Sequence, residues 1–348
     1  MLKSRFRLWI YQKIGNTRIS KSYSHSMRIA YSLGSLLTVN QVLECSEILS
    51  YTNVDTIWIP ETWGMENFSM LSMVSQKASK PKIGSSIINI YSRSPSSIAM
   101  GAATVDTLSN GRLILGLGTS STPIVEDFHG YKFENPVLRM KEYVEIIKMA
   151  LSGKQVNYSG KIFNLKNFTL LIKPHRVKIP IYLAAVNQKM IDLTWEVSDG
   201  VIFYLRPLHE MKKTIQKMQS KRKIDVTCQI ISCVSNDAEI AITRAKQTLA
   251  FYISVGKIYR EFLSKNGFET ETRNIFDEFK KSGFESNHEL ISDNMLKSLT
   301  IAGTPDQCII QLQKFRETGI DLPTIQFNPV GDVIDSFRLF TDTFSEEK

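Results

Sequence analysis

Apolar positions along this chain fall into two alternating rhythms. Short apolar runs are followed by longer segments whose apolar residues recur three and four apart, the marks of buried strands and amphipathic helices. The run "RIAYSLG" (28–34) predicts a strand and 38–54 a helix. "DTIWIP" (55–60), "PKIGSSIINI" (81–90) and "RLILGLG" (112–118) predict the next strands, with helices over 67–79, 94–109 and 135–153 between and after them. Ser94 before Pro95 and Thr304 before Pro305 predict helix starts, with a hydroxyl cap and a proline in the first turn. These strands begin near residues 28, 55, 82 and 113, a spacing of 27 to 31 residues, which suits a repeated strand–helix unit. Further strands are predicted at 179–186, 199–205, 225–235 and 322–329, with a helix at 303–319. Residues 155–171 read as a surface hairpin turning at Ser159–Gly160, and 252–300 as an irregular helical insertion before the last strand. Eight strands alternating with helices predict an α/β protein of the (β/α)8 TIM-barrel type, as one domain over 27–348. A doubly wound open sheet is the alternative.

Composition changes this picture at the N-terminus. The chain of 348 residues carries a formal net charge of +9. Residues 1–26 hold six cations (Lys3, Arg5, Arg7, Lys13, Arg18, Lys21) and no acid, which leaves only +3 for the rest. A mildly basic body suits an anionic small ligand better than a nucleic-acid backbone. The basic segment reads as an amphipathic arm, a targeting segment, or a start placed ahead of Met27. No apolar run reaches the roughly 18 residues of a membrane span. Cys45, Cys228, Cys233 and Cys308 are scattered, as are the five histidines. This predicts packed, reduced thiols, a cytoplasmic protein, and no metal site.

In a barrel of this type the working face lies at the C-terminal ends of the strands. The residues placed there are Ser32 to Gly34, Pro60 to Trp63, Ser85 to Asn89, Thr119 to Ser121, Ala184 to Asn187, Tyr204 to Arg206, Gln326 and Asn328. They include one carboxylate, Glu61, and no histidine, cysteine or Ser–His pair. Small residues, hydroxyls and amides suit a flat ring held by the backbone, with a cofactor carrying the chemistry. Gly116 and Gly118 mark a close approach at the end of the fourth strand. They match neither the dinucleotide fingerprint nor the phosphate loop.

The stretches "TVDTLSNGRLILGLGTSS", "SSIINIYSRSPSSIAMGAATVD" and "LTIAGTPDQCIIQL" resemble the bacterial-luciferase-like flavin and deazaflavin oxidoreductases over roughly residues 27–330. "WIPET" and "IINIYSRSP" most resemble the branch that uses coenzyme F420, a 5-deazaflavin, and includes methylenetetrahydromethanopterin reductase. The resemblance implies a non-prolyl cis peptide at Ser86–Ile87 backing the ring. It implies cofactor contacts from Ser32, Glu61, Ser86, Ile87, Asn89, Gly118, Thr119 and Ser120. Phosphate contacts follow from Ala185, Val186 and Asn187, where relatives often have Gly-Gly, with Arg206 as a phosphate partner or a solvated side chain. Glu61 and Thr62 stand where relatives show Asp-His, and are the catalytic candidates, Glu61 bonding the ring or a ribityl hydroxyl. Ser32 and Ser121 stand where relatives place carboxylates, so the general acid is not evident; Glu126 and Asp127 lie on a loop nearby. Asp106, Gly111 and Arg112 are family hallmarks read here as organising a turn. The expected function is hydride transfer between coenzyme F420 and a small organic substrate. An FMN-dependent monooxygenase and a non-catalytic flavin-binding relative are the alternatives. The resemblance also implies a homodimer.

Overall fold

The computed structural model describes residues 28–345, apart from Ser35 and Val177. The basic segment 1–26, with the readings placed on it, lies outside the described residues. The first strands are β1 (Ala30–Ser32), β2 (Thr56–Ile59), β3 (Lys82–Ser85), β4 (Ile88–Asn89) and β5 (Leu113–Gly118). The helices between and after them are α1 (Val39–Leu49), α2 (Asn67–Lys77), α3 (Pro95–Leu108) and α4 (Pro136–Leu151). The hairpin β6 (Val156–Ser159) and β7 (Asn164–Phe168) follows, then β8 (Ile181–Ala184), α5 (Gln188–Val197), β9 (Gly200–Tyr204), α6 (Leu208–Gln219) and β10 (Asp225–Val234).

Local chemistry accounts for where the helices begin. Thr38 and Gln41 form a reciprocal capping box on α1, and the Ser94 hydroxyl accepts from the Ser97 amide ahead of Pro95. After β10 the chain runs through α7 (Ala238–Val255), α8 (Lys257–Leu263), a π-type turn, α9 (Glu269–Ser282) and α10 (Asp293–Leu299). Then come β11 (Thr300–Gly303), α11 (Pro305–Arg316), β12 (Leu322–Phe327) and α12 (Val333–Phe344). Thr304 and Gln307 cap α11 in the same reciprocal way.

The parallel strands close into a ring. In order it runs β12, β1, β2, β3, β5, β8, β9 and β10, with β10 pairing back onto β12. This is the (β/α)8 TIM barrel. Two details differ from the sequence reading. The run 81–90 is two short strands rather than one: β3 pairs with β2 and β5, whereas β4 pairs with β5 alone, further up. The Ser86–Ile87 peptide between them is cis, as the resemblance implied. In addition, β11 falls between the insertion read at 252–300 and the helix read at 303–319, where no strand was expected, and extends the pairing of β10 at Ile231–Val234. Its apolar run is only "TIA", too short to stand out from the helices beside it.

The N-terminal ends of the strands carry a charged clamp. The Arg28 guanidinium donates to Asp55 (Nε to Oδ2, 3.0 Å) and to Asp225 (Nη1 to Oδ1, 2.9 Å), tying the starts of β1, β2 and β10. Arg112 donates to the carbonyls of Ser75, Ala78, Pro81 and Ser109. Asp106 is fully buried and accepts from Arg176 (2.6 Å). Both organise the turn before β5, as expected. The hairpin turn is held differently: the buried Glu142 carboxylate accepts the amides of Lys161, Ile162 and Phe163. All four cysteines are buried and unpaired.

Candidate active site

The barrel interior sets the floor of the site. Ala30, Trp58, Ile114, Tyr182, Ile202 and Leu322 form one buried cluster, with Ile87 and Ala184 packed against it. Side chains two residues apart share a strand face, so the next layer toward the C-terminal ends includes Ser32, Ala184 and Tyr204. Above an apolar floor sit polar atoms that find no partner in the protein. They include Ser32 Oγ, Ser86 Oγ and Asn89 Nδ2, all buried, and the Tyr204 hydroxyl of the same layer. The other end of the Asn89 amide accepts from the Tyr91 N–H (3.0 Å), which leaves Nδ2 as the open donor. Unmade hydrogen bonds of this kind are costly and uncommon in a folded interior. Three of the nine such atoms among the described residues lie together at the ends of β1, β3 and β4, a lining whose polar atoms a ligand can meet.

The two glycines of β5 answer to the broken third strand. A Cβ at Gly116 would lie 1.8 Å from the Ser85 carbonyl oxygen. The Ser85 hydroxyl bridges both the N–H and the carbonyl of Gly116, at 2.8 Å each. A Cβ at Gly118 would lie 2.5 Å from Ile87 Cγ1. Gly118 therefore makes room for the Ile87 side chain, rather than directly for a ring as the sequence reading supposed. Thr119 and Ser120 are half-buried at the strand end, Ser120 with φ +58°.

Two expected ligand contacts are engaged inside the protein instead. Glu61 accepts from Arg93 Nη1 (3.0 Å) and Nη2 (2.5 Å), and from the amides of Asn67 and Asn89 (3.3 Å each). Both its oxygens are committed, so it braces the turn after β2 rather than presenting a free carboxylate. Arg206 is neither solvated nor free. It is buried, pairs with Glu210, donates to the Val186 carbonyl (2.6 Å), and lies over the Phe203 and Phe262 rings at 4.5 and 4.6 Å. Burial pushes its guanidinium below the usual arginine range, against the pull of Glu210.

The remaining expected residues are spread around the same face. Thr62 is exposed with φ +44°, at the apex of the turn that Glu61 holds. Asn187 caps α5 through its side chain, accepting from Met190 N–H (3.1 Å); Ala185 is buried and Val186 half-buried beside it. Sequence reasoning missed Arg93, whose guanidinium also pairs with Glu66. Its only signal was a lone cation just before a capped helix. Trp63 and Phe128 were not singled out as a pair. They meet edge to face at 5.9 Å on the rim, both largely exposed. Among the described residues no cluster of ligating side chains fits a metal, and no helix is long and apolar enough to cross a membrane.

A profile of the family described as luciferase-like monooxygenase matches residues 22–322. The chain belongs to the luciferase-like family. As a member it is an enzyme of the oxidoreductase class. A relative from Archaeoglobus fulgidus, 5,10-methylenetetrahydromethanopterin reductase, is 28% identical over 289 residues, covering 80% of this chain and 86% of the relative. The structure of the coenzyme F420-dependent tetrahydromethanopterin reductase from Methanopyrus kandleri superimposes with a TM-score of 0.81 at 21% identity, over 90% of this chain and 97% of that one. An F420-dependent secondary alcohol dehydrogenase solved with an F420–acetone adduct gives 0.74 at 17% identity, over 92% and 98% of the two chains. Both share this luciferase-like barrel.

Proposed function

We propose that this protein is a coenzyme F420-dependent oxidoreductase acting on a small organic substrate. The observation that carries the reading is the set of open polar atoms, Ser32 Oγ, Ser86 Oγ and Asn89 Nδ2, above the Ile87–Ala184 floor. The F420 dependence named for the two solved structures supports the same cofactor. A flat ring with polar edges fits such a lining, because the floor stays apolar while the donors and acceptors sit at its margin. When bound, a 5-deazaflavin supplies two-electron hydride exchange at one ring carbon. Ser32, Ser86 and Asn89 orient the ring edge, and Ile87 supports its face. Gly118, Thr119 and Ser120 form the edge over which the cofactor passes. Ala185, Val186 and Asn187 would hold a phosphate against the Gln188 and Lys189 amides that open α5, the Met190 amide being taken by the Asn187 side chain.

Glu61 and Thr62 act by position in this reading. Glu61 holds the turn through Arg93, and Thr62 at its apex faces the substrate. Trp63 and Phe128 shield the reacting face from water, which hydride exchange needs more than a strong base. A cytoplasmic homodimer accompanies the reading; light scattering at twice the 39.6 kDa chain mass checks the dimer.

The test is a fluorescence titration with coenzyme F420 and, separately, with FMN. Binding of the deazaflavin, followed by its substrate-dependent reduction or oxidation, is the expected result. Binding of FMN alone moves the protein to the monooxygenases. Binding of neither overturns the reading.

A further inference from the structure

A second cavity, of about 510 Å³, opens beside the candidate site. Its walls are Gln188 at the start of α5, His209, Glu210, Lys213, Thr214 and Lys217 on α6, and Lys265 to Gly267 in the π-type turn of the insertion. It lies on the same end of the barrel, since α5 and α6 both begin just past the C-terminal ends of β8 and β9. Arg206 and its stacked phenylalanines stand between the two sites: Arg206 bonds Val186 on one side and Glu210 on the other.

The charge balance of this cavity is one-sided. Glu210 is its only carboxylate, and it is already used. One oxygen pairs with Arg206 and the other accepts from the Thr214 hydroxyl (2.6 Å). Lys213, Lys217 and Lys265 have no carboxylate partner among the described residues. Lys213 and Lys217 are also four apart on one helix, a like-charge spacing that destabilises a helix unless something neutralises it. A bland solvated face would distribute such lysines around open surface. Here three of them, with His209, converge on one concavity.

We propose that this cavity is a subsite for a flexible small polyanion, a chain of phosphate or carboxylate groups. That chemistry has two sources: the anionic tail of a deazaflavin cofactor whose ring occupies the neighbouring site, or a free polyanionic metabolite. The first source rests on the function proposed above; the preference for polyanions does not. Lysine recognises such groups as a point charge, so several converging ammonium groups suit a mobile chain better than one fixed anion.

The test compares the wild type with the triple variant Lys213→Gln, Lys217→Gln, Lys265→Gln. These side chains are exposed, so the variant folds; thermal melting without ligand checks that. Tripolyphosphate should raise the melting temperature of the wild type and not that of the variant. Coenzyme F420 with its oligoglutamate tail should bind the variant about 10-fold more weakly, the scale expected when three exposed charge pairings are removed together. The tail-less deazaflavin riboside should bind both proteins equally. Weaker binding of F420 and not of the riboside identifies the cofactor tail as the occupant. A tripolyphosphate response abolished in the variant, with F420 binding unchanged, identifies a free polyanion. Equal tripolyphosphate shifts together with unchanged F420 affinity overturn the subsite, as does an equal weakening for F420 and the riboside. If the wild type binds no deazaflavin, the proposed function fails while the tripolyphosphate comparison still decides the subsite.

Discussion

At the scale of single residues, the site is defined by what is missing as much as by what is present. Ser32 contributes a buried hydroxyl with no partner. Removing an unsatisfied group costs the fold nothing, whereas removing a hydrogen bond to a ligand costs roughly 0.5–1.5 kcal/mol. Ser32→Ala should therefore leave the denaturation midpoint unchanged or raise it, while weakening cofactor binding about 3- to 10-fold. An unchanged dissociation constant would remove Ser32 from the site. Gly116 tests the opposite case. A methyl group there meets a backbone oxygen, which cannot swing aside, so Gly116→Ala should destabilise by about 3 kcal/mol or more. Gly64→Ala, with nothing within 4 Å of the added carbon, serves as the tolerant control in the same urea titration. Arg93→Ala leaves the Glu61 carboxylate half-buried without its cation, and should cost about 2–4 kcal/mol. The same variant should raise the Michaelis constant for substrate, because the turn carrying Thr62 loses its brace.

At the scale of elements, the two ends of each strand do different work. The upper ends release the chain into short polar turns that line the site. The lower ends are locked, most visibly by Arg28 between Asp55 and Asp225. Burial alone would push the Asp55 carboxyl up, but hydrogen bonds from Arg28 and Thr56 outweigh it and hold the group below the usual carboxylate range. A depressed folded value means the stabilisation is complete above the unfolded value of about 4 and is lost as pH falls through the folded one. Asp55→Asn should be less stable than the wild type at pH 7, and the gap should narrow as pH falls below about 4. A gap that stays constant down to pH 2 in chemical denaturation would mean that the clamp contributes through shape and not charge.

At the scale of the whole molecule, the four thiols are sealed within the core. Burial pushes Cys45, Cys228 and Cys308 up to about 12 and Cys233 higher still. Because the thiolate is the reactive form, a thiol reagent at pH 8 should label almost nothing in the native protein. It should label four sites once the chain is unfolded. Rapid labelling of even one native cysteine would show that part of the core opens readily. The insertion adds a second buried cluster, built from α7 to α10, the upper part of β10 and β11, on the flank where the basic cavity lies.

The barrel was legible because its signal is repetitive. Apolar strands alternate with amphipathic helices, the first four at a nearly constant spacing, and Ser94–Pro95 and Thr304–Pro305 mark helix starts; each is a short-range property of the chain. The same locality made the strand ends, and hence Ser32, Ser86 and Asn89, readable as one face. What only the tertiary structure decided depends on partners far apart in sequence. Glu61 became a brace because Arg93, 32 residues on, takes both its oxygens. Arg206 became a wall because Val186 and Phe262, distant in sequence, close around it beside its neighbours Phe203 and Glu210. Gly118 faces Ile87 because the third strand breaks beside it. Sequence alone determines which groups reach the mouth of the barrel; folding decides which arrive there with a bond still to make, because a buried polar group is satisfied by whichever distant partner packing brings within reach.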